Sequence, residues 1–164
     1  MKTSEIIVNC IKNGGKIITC GNGGSLCDAQ HMAAEFTGRF QSDRRPLPAI
    51  CINDPAYITA VANDYGYEHV FSRYIKAVGS PKDVLIAFTT SGKSKNVIAA
   101  LECASEMGIE PLMVTGKRGI MNGGPKLEHT DCNYEWVDGY STAEIQEETI
   151  KWIHQTLREV EELL

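Results

Sequence analysis

The chain has 164 residues, 43% of them hydrophobic, and carries 16 Lys+Arg against 21 Asp+Glu for a formal net charge of -5. That length fits one domain, so residues 1–164 are read as a single unit. The mild acidic excess without a basic cluster excludes the footprint of a nucleic-acid binder, and no apolar run reaches the roughly 18–20 residues that a membrane-crossing helix needs.

In chain order, Ile6, Ile7, Cys10 and Ile11 recur at helical spacing, and Gly14-Gly15 ends that helix. Lys16 to Cys20 is a short β-prone run that feeds the turn Gly21-Asn22-Gly23-Gly24. Ser25 is then the predicted N-cap of a helix reaching about Arg39. Pro48 to Ile52 reads as a second strand, with helical segments from Pro55 towards Val78. Asp83 to Phe88 is almost continuously apolar, as a strand buried on both faces of a parallel sheet would be.

Thr89-Thr90-Ser91-Gly92-Lys93-Ser94 forms the next turn, followed by a helix closed by Gly108. Pro111 to Thr115 is a fourth strand, and a loop with Gly116, Gly119, Gly123 and Gly124 leads to a weaker strand near Cys132–Val137. A long amphipathic helix from about Thr142 to Leu164 completes the chain, its predicted stripe being Ile150, Ile153, Leu157 and Leu164. Strand, turn and helix alternate about five times, the pattern of a doubly wound α/β domain, whose ligands sit at the strand-to-helix turns.

The six cysteines are scattered with no paired spacing, which excludes a zinc ribbon or disulfide framework and suits reduced thiols in a cytoplasmic protein. The residues from Met1 to Glu5 lack the apolar core of a signal peptide.

Four motifs carry chemistry. The hydroxyl-rich turn at Thr89–Ser94 can cradle a phosphate with backbone N–H groups at a helix start, or be a capped turn with solvated hydroxyls. It lacks Walker spacing, which disfavours an NTPase. The turn Cys20–Ser25 is not a dinucleotide fingerprint, because Leu26 stands where its third glycine belongs. It suits close approach of backbone to a small polar ligand. His31 and Glu35 are i,i+4 neighbours, with Arg39 one turn further; they can share a metal, a proton or a plain surface hydrogen bond. On the last helix Gln146 falls within the apolar stripe and His154 on its edge, where each needs a partner. If the two helices pack together, His31, Glu35, Gln146 and His154 can converge, either as core hydrogen bonds or as metal ligands.

These pieces, with Asp28 to Glu35, Thr37-Gly38-Arg39-Phe40, Ala62 to Tyr67, Thr90 to Val97 and Ile145-Gln146-Glu147, resemble the sugar isomerase (SIS) domain family and, within it, the phosphoheptose isomerases. The resemblance implies a flavodoxin-like three-layer α/β/α fold with a five-stranded, mostly parallel sheet, and a homotetramer with active sites between subunits. It implies a phosphate loop at Thr89, Thr90, Ser91 and Ser94, and further substrate contacts at Asn22, Gly23, Gly24, Ser25, Glu35, Asn63, Asp64 and Gln146. It also implies one zinc per subunit on His31, Glu35, Gln146 and His154.

The activity so implied is conversion of D-sedoheptulose 7-phosphate to D-glycero-D-manno-heptose 7-phosphate through an enediol, for bacterial heptose biosynthesis. Glu35 would be the base, and His154 the general acid/base. An isomerase for another sugar phosphate, or a non-catalytic SIS protein binding a sugar phosphate or a replication-initiator partner, are the rivals; retention of Glu35 and His154 favours the enzyme. The chain departs from the family pattern in Lys93, Ala143, Glu144 and Thr149. It also has only about fifteen residues before the first strand, where the family has a longer helical extension.

Overall fold

The computed structural model describes residues 1–117, 127 and 131–164. The predicted loop glycines 119, 123 and 124 lie outside the described residues. Five strands form one sheet: β1 (Ile17–Gly21), β2 (Ala49–Cys51), β3 (Val84–Thr89), β4 (Glu110–Gly116) and β5 (Asn133–Val137), in the order β2-β1-β3-β4-β5. Every neighbouring pair is parallel. The helices are α1 (Thr3–Lys12), α2 (Gly24–Thr37), α3 (Pro55–Tyr65), α4 (Val70–Val78), α5 (Lys95–Glu106) and α6 (Thr142–Leu163), with a 3-10 turn at Tyr67–His69.

Strand side chains alternate between faces, and the two sides of the central strands enter different cores. Val84, Ile86 and Phe88 pack with α1, α2 and α6 through Ile7, Met32, Phe36, Ile153 and Leu157. Leu85 and Ala87 pack with α3, α4 and α5 through Val61, Phe71, Ile75, Val97 and Leu101. This is the three-layer α/β/α arrangement. β3 is buried along its whole length, as its unbroken apolar run predicts.

Three boundaries differ from the sequence reading. The N-cap of α2 is Gly23 rather than Ser25, because Gly23 at φ +55 turns the chain straight into the helix. Ser25 is then carried into the first turn and buried. Gly38 stops α2 at Thr37, short of Arg39. Leu164 is exposed because it lies beyond the last helical residue, where helical spacing no longer applies, and Val160 completes the buried stripe with Ile145, Ile153 and Leu157.

Candidate active site

The chain passes from β1 outward to β2, then back across β1 to β3. That reversal puts the topological switch point at the C-terminal ends of β1 and β3, the place where α/β sheets bind ligands. The two turns there are Gly21–Gly24 and Thr89–Ser94.

In the first turn Gly23 and Gly24 are exposed. A Cβ on Gly24 would lie 2.1 Å from Gln146 Nε2, so the Gln146 amide rests directly on this backbone and a larger residue would have to push it aside. Asn22 is held on both ends of its amide. Its Nδ2 donates to Asn96 Oδ1, and Asn96 Nδ2 donates back to Asn22 Oδ1, each at 2.8 Å. The Tyr67 hydroxyl donates to the same Asn22 oxygen at 2.8 Å. The Asn22 side chain thus laces the β1 turn to α5 and to the 3-10 turn, while the backbone of the neighbouring Gly23 stays open.

In the second turn Gly92 takes φ +67 and the Lys93 N–H donates to Ser91 Oγ at 3.2 Å. Ser94 precedes α5 without a side-chain cap bond, and its Oγ pairs with buried Thr89 Oγ1 at 3.3 Å. Thr90 is half-buried and Ser91 exposed. Asn63 and Asp64 are exposed near the end of α3, where Asn63 Nδ2 donates to Asp64 Oδ1 at 2.8 Å. Tyr67, just beyond them in sequence, connects this region to Asn22.

Two helices bring the titratable groups together. α2 and α6 run side by side in the same direction, Gly24 against Gln146 and, about two turns later, His31 against His154. His31 Nε2 is 3.0 Å from His154 Nε2 and 3.5 Å from Glu35 Oε1. Phe40 stacks on the His154 ring with centroids 5.3 Å apart. Burial and then the neighbouring His31 lower the His154 pKa below the ordinary imidazole value, with Glu35 working against them. Of the four residues that helix geometry singled out, His31 meets both Glu35 and His154, while Gln146 joins the glycine turn.

The departures from the family pattern have local partners here. Glu144 Oε2 accepts from the N–H of Tyr140 at 2.6 Å and of Ser141 at 3.0 Å, forming the capping box of α6. Thr149 is buried and donates to the Ile145 carbonyl at 2.7 Å. Ala143 and Lys93 are exposed.

Asp28, Asn96 and Tyr67 belong to the site region; they fall in segments that carry the resemblance but were given no role from sequence. Asp28 is 4% exposed, one turn before His31 on α2, and its Oδ2 has no hydrogen-bond partner among the described residues. A carboxylate three residues before His31 and seven before Glu35 was a readable same-face signal. Burial raises the Asp28 pKa to about 6, and His31 partly opposes the shift. The unfolded chain therefore ionises first, near the usual carboxylate value of 3.8, so stability falls as pH rises from about 4 to about 6 and the penalty is complete above that. Asp28→Asn is expected to stabilise the protein by about 1–3 kcal/mol at pH 7.5. Urea titrations at both ends of the range should show that gain vanish near pH 4; an equal effect at both would contradict the buried-carboxylate assignment.

A doubly wound sheet with these two turns and a His/Glu/His group defines a class. A model of the SIS domain matches residues 1–116. The phosphoheptose isomerase of Cytophaga hutchinsonii is 47% identical over 165 aligned residues, covering 99% of this chain and 83% of that one. The structure of the phosphoheptose isomerase from Neisseria gonorrhoeae superposes with a TM-score of 0.83 at 38% identity, covering 97% of this chain and 83% of that chain. The corresponding enzyme from Francisella tularensis superposes with a TM-score of 0.85 at 33% identity and the same coverage. By fold and site this is an SIS-domain sugar-phosphate isomerase. Within that class, the chain belongs to the phosphoheptose isomerase family.

Proposed function

We propose that this chain interconverts D-sedoheptulose 7-phosphate and D-glycero-D-manno-heptose 7-phosphate through an enediol. The observation that carries the reading is the meeting of Glu35 with the His31–His154 pair, contributed by the two neighbouring helices α2 and α6. The names of the relatives support the heptose as substrate. The Thr89–Ser94 turn supplies hydroxyls and a helix N-terminus for the phosphate, whose binding energy orients the reacting carbons. Glu35 takes the proton from C1 of the ketose and returns it to C2. His154, whose pKa is lowered by burial, exchanges protons with the sugar oxygens. Asn22, Gly23, Gly24, Ser25, Asn63, Asp64 and Gln146 complete the proposed substrate set.

Incubation with sedoheptulose 7-phosphate in deuterated water tests this directly. NMR should show the aldose phosphate appearing with deuterium at the carbon that receives the proton. A ketose left unchanged by folded protein would sink the assignment.

Zinc is proposed at the same place. Among the described residues no group of three His, Cys, Asp or Glu side chains is already arranged to hold a metal, so the support is the donor chemistry. Two imidazoles and a carboxylate are a donor set of catalytic zinc, and two Nε2 atoms 3.0 Å apart need a shared proton or a shared cation between them. His31, Glu35 and His154, with Gln146 as fourth donor, would hold the metal, which when bound supplies Lewis-acid polarisation of the sugar oxygens. His31→Ala is expected to lose bound zinc in elemental analysis of the purified protein. Full retention would overturn the site. The resemblance also supports a homotetramer, and the described cysteines, all free, suit a cytoplasmic setting.

A further inference from the structure

The segment between α2 and β2 touches both helices that carry the site. Phe40 stacks on His154. The Ser42 N–H donates to Glu161 Oε2 at 3.1 Å. Arg44 makes four hydrogen bonds: Nε to Glu161 Oε1 at 3.1 Å, Nη2 to the Glu35 carbonyl at 2.8 Å, and Nη1 to the carbonyls of Phe36 at 3.1 Å and Arg45 at 3.2 Å. The Arg44 and Glu161 side chains are only 13% and 9% exposed.

The last carbonyls of a helix have no intrahelical partner and carry partial negative charge. The Arg44 guanidinium answers two of them on α2, one belonging to Glu35 itself, and pairs with a carboxylate on α6. Burial works against the charge on Glu161, yet the Ser42 N–H and Arg44 hold its carboxyl below the ordinary range, so the pair is ionised at neutral pH. Glu161 lies seven residues after His154, two turns along the same face of α6. One side chain thus grips the backbone of Glu35 and the helix that bears His154.

We propose that Arg44 is a positioning residue: it sets the separation between Glu35 and His154, with Glu161 as its anchor. The proposal rests on the reading of Glu35 and His154 as the acid/base pair. The turns after β1 and β3, read above as holding the sugar and its phosphate, lie outside its contacts. Loss of Arg44 therefore acts on turnover and leaves substrate capture intact.

Steady-state kinetics of the full chain, well below each variant's unfolding midpoint, test it. Arg44→Ala is expected to lower kcat about 10- to 100-fold with KM changed less than about threefold, the effect of a small misplacement at the reacting atoms. Arg44→Lys keeps the charge without the fork and is expected to fall between wild type and Arg44→Ala. Arg44→Ala combined with Glu161→Ala should lose no more than Arg44→Ala alone, because the two act as one unit. A lowered midpoint with unchanged kcat would make Arg44 a brace only and overturn the proposal. Should Arg44→Ala fail to fold, Arg44→Lys and Glu161→Gln decide, and unchanged kcat in both overturns it equally. Glu35→Gln, run in parallel, separates the two levels. Full activity there would refute the acid/base reading itself, whereas an inactive Glu35→Gln beside a fully active Arg44→Ala refutes the positioning role alone.

Discussion

Glu35→Gln is expected to lower kcat for sugar-phosphate isomerisation by about 10²–10⁴-fold, the range for removing a positioned general base. The amide preserves the shape of the side chain and removes its basicity. Because Glu35 is partly exposed and its ion pair with His31 spans 3.5 Å, thermal stability should change by less than about 0.5 kcal/mol. The signature is therefore a large kinetic loss on an intact fold. Deuterium incorporation from solvent should fall in parallel with turnover, since one group takes and returns the proton. Undiminished exchange in this variant would remove Glu35 from the mechanism.

Phe88→Ala is expected to destabilise the protein by about 3–5 kcal/mol, seen as a lower urea midpoint at unchanged slope. Phe88 is 1% exposed and is the penultimate residue of β3, with its ring edge-on to Trp152 of α6 at 6.2 Å between centroids. Its truncation leaves a cavity where the central strand, α2 and α6 meet, in a core too closely packed to collapse around it. Thr89 follows immediately, so the folded variant should also bind a sugar phosphate more weakly. A loss below about 1 kcal/mol would mean that α6 does not rest on β3 as described.

Much of the architecture was legible because parallel sheets write themselves plainly in sequence. β3 shows as an unbroken apolar run because both of its faces are buried. The glycine and hydroxyl turns stand out because each interrupts a strand and a helix at a place needing unusual backbone, as Gly23 and Gly92 do with positive φ. The helix spacing of His31, Glu35 and His154 was likewise readable, since helical periodicity fixes which side chains share a face. Less legible were the boundaries set by backbone conformation: Ser25 has the composition of a cap, but the turn at Gly23 starts the helix first.

Arg44 illustrates what periodicity could not reveal. It lies in an irregular stretch, and its partners at Glu35, Phe36 and Glu161 come together only through chain crossing. Asp28 is similar, because its burial depends on how tightly α2 packs on the sheet. Asn22, taken from sequence as a substrate contact, has its amide bound to Asn96 and Tyr67 from other segments.

The sequence by itself determined the layered α/β class, the strand-to-helix turns and the helical faces, because each is a local consequence of residue type and spacing. Only the tertiary structure decided that α2 and α6 run in parallel, so that Gln146 rests on Gly24 while His154 reaches His31. The reason is physical: spacing along one helix is covalent, whereas the register between two helices is chosen by the packing of Met32, Phe36, Ile153 and Leu157 over β3.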